Sequence, residues 1–565
     1  MDDPVSPLSF NKRSKGDSHF PWWVPVALLL ILLGPFLLKP NDHAALTHYD
    51  RRLVILSPHH ESIRQEFGEA FAAHWFQRTG EQVYLDWRTP GGSSEIFLFL
   101  KSEFLGAFQQ AFERQEGRPM SPEMLRGFQD PKTPEEPSEG VSEGVVSARR
   151  HFLASNVGIG VDLLFGGGMP DFQQLAEAGY LVSSPQGSFA GIPAIEARHP
   201  EWFRSDVIPE ILSGEVFRDD HQRWIGAVLA TFGILHNKDL LRRLSVAEPP
   251  EHWEALGDPK LLGQLALADP SKSGSAAKAF ELIIQEQIQK TLATAKGPLS
   301  PKDEALLINN GWLQGLQLIQ RMGANARYFT DSAVKIVLEV GRGDAAAGMA
   351  IDVYGRATQD AVARADGTSR VGFISPLGGT SVSVDPIALL RGSKDPELAT
   401  AFMEFVLSMQ GQKLWAFKAG TPEGPIHHAL RRMPIRRDFY REDLSALMSD
   451  PLEKPYDTAA HFVYHPEWTR SLFGAIRFLI RVICVDTHEE QQAAWRILIA
   501  HGMPSEALKV FHDLSGVDLE SVHQKILPIL NGRDKLAEVR LGRELAETFR
   551  ARYRRAALIA QGEGS

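Results

Sequence analysis

Residues 253–284 read WEALGDPKLLGQLALADPSKSGSAAKAFELII. The apolar run LALA ends in Ala-Asp-Pro, and the turn DPSKSGS at 269–275 leads into a helix-forming sequence. Glycine at such a junction lets the backbone approach a ligand, and the helix start offers unpaired N–H groups and a partial positive charge. Both suit phosphate, phosphonate or carboxylate. Three other glycine-rich turns also follow strand-like runs and precede helix-like ones: PGGSS at 90–94, FGGG at 165–168 and PLGGTS at 376–381. Taken singly, each reads equally well as an ordinary strand-to-helix turn. Turns this far apart can serve one pocket only in a fold that brings distant segments together.

The chain of 565 residues is 43% hydrophobic and 23% charged, enough for several cores and two or more domains. A net charge of −10 supplies no global basic field, which argues against nucleic acid as a partner and leaves a local anion site open. Cys484 is the one cysteine, so there is no internal disulfide and no Cys-based zinc site.

The amino terminus sets the expected compartment. Residues 20–38, FPWWVPVALLLILLGPFLL, are uncharged and roughly 28 Å long as a helix, enough to cross the hydrocarbon core of a bilayer. Lys12, Arg13 and Lys15 precede this run, and Trp22 and Trp23 sit at its edge, which places residues 1–19 in the cytoplasm and exports everything after Lys39. The following KPNDHAALTH is a poor cleavage site and there is no cysteine for a lipid, so residues 20–39 read as an uncleaved anchor or signal.

Beyond the anchor, RRLVILSP at 51–58 reads as a strand, ESIRQEFGEAFAAHWFQRTG as an amphipathic helix ended by Gly80, and VYLDWR as a second strand running into PGGSS. This is a βαβ unit with its next helix starting at Ser93. Residues 115–146, rich in Pro, Glu, Gly and Ser, read as a surface insertion before the buried strand VGIGVDLLF. WIGAVLATFGILHN at 224–237 reads as a strand crossing into a second lobe.

Several pieces, in this order, resemble the periplasmic solute-binding proteins of ATP-binding-cassette (ABC) importers, in the type II group that takes ferric iron, polyamines and phosphonates. They are FGILHNKDLL, the Trp-Glu-x-Leu and Asp-Pro stretch leading to Ala-Asp-Pro and Ser-Gly, RGDAAAGMAIDVYG, and ISPLGGTSVSVDPIALLRGSKDPELATAFMEFVLSMQGQKLWA. The resemblance spans about residues 52–440. It implies two α/β lobes joined by crossing strands, a solute in the cleft between them, hinge closure around it, and delivery to a membrane permease. Lobe one is expected over 51–228 and 375–450 and lobe two over 229–374, with 451–565 a helical C-terminal extension. The expected solute-binding residues are His59, Gly91, Gly92, Ser93, Ser94, Gly167, Ser273, Gly274, Ser275, Asp352, Tyr354, Gly379, Thr380 and Ser381.

The resemblance leaves the solute open between a small anion and ferric iron, with or without an accompanying anion. His59 stands at the iron-binding branch's histidine position and Tyr354 offers a phenol, which makes these two the candidate metal ligands. No Tyr-Tyr pair is present, however, and FGGG stands where an acidic ligand is wanted. A polyamine is the alternative, drawn by Asp352 and Asp385 and boxed by Trp87, Phe165 and Tyr354. A non-transport exported interaction or sensor protein also remains. Of His59 and His60, one is expected to cap or support the first helix and the other to be solvated, with direct ligand contact the alternative. No cofactor is expected beyond iron as cargo.

Enzyme motifs are missing: no Gly-x-Ser-x-Gly string follows a strand-like run, GVSEG at 140–144 lying inside the Pro-, Glu-, Gly- and Ser-rich stretch, and there is no phosphate-binding P-loop and no His-Glu-x-x-His helix, so the chain reads as a non-enzyme. In the extension, QQAAWRILIAH, SEALKVFHDL and KLAEVRLGRELAETFRARYRRAAL have helical periodicity, and the last carries Arg550, Arg552, Arg554 and Arg555. They are expected to form a solvated face on a helix packed against lobe one. Arg470, Arg477 and Arg481 make WTRSLFGAIRFLIRVICV at 468–485 an ordinary helix rather than a second span.

Overall fold

The computed structural model describes residues 48–563 apart from 186 and 533. The expected cytoplasmic tail at 1–19 and anchor at 20–39 lie outside the described residues. Among the described residues no helix is long and apolar enough to cross a membrane.

The expected βαβ unit is present as strand β1 (Arg51–Leu56), helix α1 (Glu61–Thr79) and strand β2 (Val83–Arg88). β1 and β2 pair in parallel. Gly80, at φ 77°, ends α1 in the left-handed conformation that glycine adopts without steric cost. Helix α2 (Ser93–Glu116) starts at the expected serine, and strand β3 (Leu163–Phe165) pairs in parallel with β1 before helix α3 (Met169–Ala178). Residues 115–146 are not structureless, since they contain a short helix at Pro122–Gly127. A small hairpin, β4 (Ile211–Leu212) with β5 (Glu215–Val216), precedes strand β6 (Ile225–Asn237).

β6 joins the two halves of the molecule. All of its 13 residues are buried, as suits a largely apolar strand covered on both faces, with Thr231, His236 and Asn237 its buried polar members. The second lobe follows with strand β7 (Leu265–Ala268), helices α4 (Gly274–Leu292) and α5 (Pro301–Asn325), and strand β8 (Ala326–Thr330). It is completed by strand β9 (Ala347–Ile351), helix α6 (Asp352–Ala361) and strand β10 (Val371–Ile374). Strand β11 (Val382–Leu390) then returns to lobe one, followed by the short β12 (Met433–Pro434). The strand order is β2-β1-β3-β11-β6-β9-β7-β8, with β10 and β12 also on β6. β6 pairs with β11 from Ile225 to Thr231 and with β9 from Phe232 to His236. One strand therefore belongs to both lobes, and the hand-over falls between Thr231 and Phe232.

Each lobe has its own apolar core. In lobe two, α4 and α5 pack closely because Gly311 and Gly315 leave room: an added Cβ would lie 2.4 Å from Ile288 Cα and 2.7 Å from Ile284 Cα. The C-terminal extension forms helix α7 (Phe473–Ile480), helix α8 (His488–Ala500) and the 26-residue helix α9 (Lys535–Ala560). Its placement corrects the sequence expectation, because Ile476, Leu479, Cys484, Trp495, Phe511, Phe549 and Tyr553 join the core of lobe two rather than packing on lobe one. The outer face of α5 carries Trp312 and Met322, which need cover, and the extension supplies it. Trp312 Nε1 donates to the Val517 carbonyl at 2.9 Å, and Gln320 Nε2 to the Phe511 carbonyl at 2.9 Å. The basic end of the chain is neutralised locally, with Arg552 3.1 Å from Asp513 and Arg554 2.9 Å from Glu490.

Candidate functional site

The loops leaving β1, β2 and β3 lie at the carboxyl ends of three parallel strands, the edge at which open α/β sheets bind ligands. They form one wall. Gly166 has φ +90°, and a Cβ there would lie 2.4 Å from the His59 ring, so glycine is required for the imidazole to sit where it does. Gly167 lies beside Ser93, whose Oγ would be 3.3 Å from an added Cβ. His59, Ser93 and Gly167 are thus neighbours, with exposed Gly91 and Gly92 leading into α2. α2 and α3 begin at Gly92 and Gly168, neither of which caps its helix with a side chain. Ser94 falls in the first turn of α2. No cap side chain therefore meets the first-turn N–H groups of α2 or the Met169 N–H of α3, where Pro170 has no N–H and Asp171 N–H donates to the Gly168 carbonyl at 3.1 Å.

His60 is the N-cap of α1, its Nδ1 accepting from Ser62 N–H at 3.4 Å, while His59 turns inward. The His59 ring stands edge-on to Phe165 at 4.7 Å, and both its nitrogens are buried without a hydrogen-bond partner. Its Nε2 is 3.9 Å from Asp385 Oδ2, too long for a hydrogen bond. Burial lowers the His59 pKa, and the attraction of Asp385 does not reverse this, so the ring is neutral near pH 7.

Asp385 on β11 is gripped by Arg432, with Nη1 2.6 Å from Oδ2. Burial alone would raise the Asp385 pKa, but the Arg432 charge outweighs it and holds the carboxylate ionised. Lobe two contributes Asp352 and Tyr354 at the start of α6. Asp352 Oδ1 accepts the Val353 N–H at 2.8 Å, and Oδ2 is buried with no hydrogen-bond partner. Burial pushes this carboxyl up to about 6, against the charges of Arg356 and Arg432. Burial and nearby Asp385 raise the Tyr354 phenol. His59 of lobe one and Asp352 and Tyr354 of lobe two thus all lie within electrostatic reach of Asp385 and Arg432.

The other expected residues divide. Ser273 caps α4, its Oγ accepting Ala276 N–H at 3.3 Å, whereas Gly274 is exposed and Ser275 half-buried. The 269–275 loop is held from within by Asp269 Oδ1, which accepts from Ser271 N at 2.8 Å and Oγ at 2.6 Å. It is held from outside by Arg477 of the extension, which donates to the carbonyls of Pro270 and Ser271 at 2.8 Å each. Gly379, Thr380 and Ser381 are corrected: they are buried and turned into the protein. The Gly379 carbonyl accepts from Trp253 Nε1 at 2.6 Å, Thr380 Oγ1 from Phe232 N–H at 3.3 Å, and Ser381 Oγ donates to Glu215 at 2.6 Å. No aromatic box forms from Trp87, Phe165 and Tyr354, because Phe165 is fully enclosed by His59, Phe67, Phe402 and Trp415.

Sequence reasoning missed Arg64 and Arg432. Arg432 hides in the run RRMPIRRD, which looks like a basic surface strip. Arg64 is a half-buried member of α1 whose charge acts on His59. Among the described residues its guanidinium has no hydrogen-bond or ion-pair partner, and Nε is buried. Asp171, in the first turn of α3, is pushed up to about 6 by burial, with Arg477 opposing. Among the described residues no cluster of three or more His, Cys, Asp or Glu side chains could hold a metal ion.

Residues 204–440 match the family model of bacterial extracellular solute-binding proteins, in agreement with the motifs quoted above. An uncharacterized protein of Haemophilus influenzae is 24% identical over 240 residues, 42% of this chain and 59% of its own length. The phosphoglycerate transport regulatory protein PgtC of Salmonella typhimurium is 22% identical over 202 residues, 36% of this chain and 43% of its own length. The chain thus spans less than two thirds of these curated relatives. A solved structure of iron-bound HitA from Pseudomonas aeruginosa aligns over 76% of this chain and 99% of its own, at 17% identity and a TM-score of 0.42.

Proposed function

We propose that this protein is the extracytoplasmic solute-binding component of an ABC importer and that it holds a small anion, through a phosphate or carboxylate group, in the cleft between its lobes. Arg64 carries the reading. A guanidinium with no partner among the described residues, its Nε buried and its charge acting on the neutral His59 imidazole, is a costly arrangement unless an anion completes it. The uncapped N–H groups at the start of α2, the Met169 N–H of α3, the Ser93 hydroxyl and the half-buried Ser275 are the further donors. Gly91, Gly92, Ser94, Gly167 and Gly274 provide close backbone approach. Phosphoglycerate in the name of a Salmonella relative agrees with this chemistry.

Ferric iron fits less well. Asp385, the carboxylate nearest His59, is already neutralised by Arg432, and the Tyr354 phenol is raised rather than lowered. A polyamine would need aromatic faces that Phe165 does not present. The proposed setting is the periplasmic face, with residues 20–39 as the tether to the inner membrane, a permease as the partner, and no catalytic activity.

The test is a thermal-shift panel on the full chain, stripped with chelator and dialysed, against inorganic phosphate, phosphonates, sugar phosphates, ferric citrate and spermidine. A solute that binds the native state must raise the melting temperature. Stabilisation by phosphate-bearing compounds supports the reading, and stabilisation by spermidine alone overturns it.

A further inference from the structure

A third connection joins the lobes. After β12 the chain crosses back to lobe two, and residues 462–465 lie between the β4–β5 hairpin of lobe one and helix α4 of lobe two. On the hairpin side, Tyr464 N–H donates to the Ser213 carbonyl at 2.8 Å. Gly214, at φ +81°, lies so close that an added Cβ would be 1.7 Å from the Tyr464 carbonyl oxygen. On the α4 side, residues three to four apart read the segment in turn. Glu281 accepts from Tyr464 Oη at 2.8 Å and from Thr469 Oγ1 at 2.6 Å. Gln285 makes a reciprocal pair with the His465 backbone, 2.9 Å each way, and Gln289 Nε2 donates to the Val463 carbonyl at 3.0 Å.

Beneath this segment, Lys278 of α4 lies 3.2 Å from Glu215 of the hairpin and 3.0 Å from Glu281, with its ammonium 3.5 Å from the centre of the Tyr464 ring. Burial would lower this lysine's pKa, but the two carboxylates outweigh it and keep the charge. Ser381, on the other crossing, donates to the same Glu215. Farther along, Arg470 Nη2 reaches Gln173 of α3 in lobe one at 3.1 Å. Breaking one member of such a buried ionic set leaves its partners uncompensated, so the set favours a single arrangement.

We propose that the C-terminal extension is a brace: residues 462–465 lock hairpin to helix, so the angle between the lobes is fixed before any solute arrives and the hinge closure implied by the family resemblance is suppressed. This goes beyond the solute-binding reading and stands whether or not the solute is an anion.

The experiment places nitroxide labels on Gln110→Cys in α2 and Lys302→Cys in α5, both exposed, in the full chain; Cys484 is buried and takes no label. Pulsed electron paramagnetic resonance without solute should give one narrow distance distribution. Adding Gly214→Ala, which must push Tyr464 off the hairpin, or Gln285→Leu should broaden and shift it while the far-ultraviolet circular dichroism stays unchanged. A broad or two-population distribution without those added substitutions overturns the brace, whether or not the substituted forms fold. So does a folded Gly214→Ala protein whose distribution matches the parent.

Discussion

Arg432 Nη1 lies 2.6 Å from Asp385 Oδ2, and the same carboxylate oxygen lies 3.9 Å from His59 Nε2. Arg432 arrives from the segment before β12 and Asp385 from the return strand β11, so the pair forms only once the chain has come back from lobe two. In the proposed reading the pair disfavours a cation, because Arg432 already neutralises the Asp385 carboxylate.

Arg432→Gln should leave Asp385 uncompensated and cost about 3–5 kcal/mol, toward the low end because the Asp385 side chain is 21% exposed. Adding Asp385→Asn should recover a substantial part of that loss. Urea denaturation of the two single variants and the double variant checks this; purely additive losses would show that the pair is not coupled.

The two serines of the 269–275 loop should separate stability from binding. Ser273→Ala removes the cap of α4 and should cost about 1 kcal/mol in urea denaturation. Ser275→Ala should stay within about 0.5 kcal/mol of wild type. A larger loss at Ser275 would mean that its hydroxyl is structural.

Asp352 gives a pH signature. Its folded pKa of about 6 lies above the unfolded value of about 3.9, so the native state keeps a proton that the unfolded chain has released. Its contribution is therefore stabilising at low pH and is lost as pH rises from about 4 through 6. Asp352→Asn removes that loss. The variant's stability relative to wild type should climb across this window, by at most roughly 1.4 kcal/mol per pH unit, and be level above it. Parallel stability curves would contradict the assignment.

Cys484 should be inert in the folded protein. It is fully buried and its thiol is pushed up to about 12, so the reactive thiolate is scarce as well as inaccessible. A thiol-reactive chromophore should register no thiol in native buffer and one in denaturant.

The fold was legible where a local pattern had a single physical solution. The mostly apolar run ending at Asn237 reads as a strand crossing between lobes, and Gly80 and Ser93 marked helix ends through backbone chemistry that does not depend on distant partners. The wall of the site was legible for the same reason, because glycine turns at strand ends show in the sequence. Its charged members were not. Arg64 looks like any polar position on an amphipathic helix, and its significance lies in lacking a partner among the described residues, which a sequence cannot show. Thr380 and Ser381 misled in the opposite direction, since hydroxyls beside glycines suggested donors to a solute while Phe232 and Glu215 already engage them. The side on which the extension packs depended on Gln285, Gln289 and Gly214, polar and glycine positions whose spacing alone reads as solvent-facing.

Calorimetric titration of the stripped full chain with inorganic phosphate and with a phosphorylated three-carbon acid, in wild type and Arg64→Gln, tests the central claim most directly. At least one of the two should bind wild type saturably. The substitution should weaken it by roughly tenfold to a hundredfold, the equivalent of one charge-assisted hydrogen bond, while leaving the circular dichroism unchanged. Absence of binding by either anion, or equal affinity in the two proteins, would contradict the account.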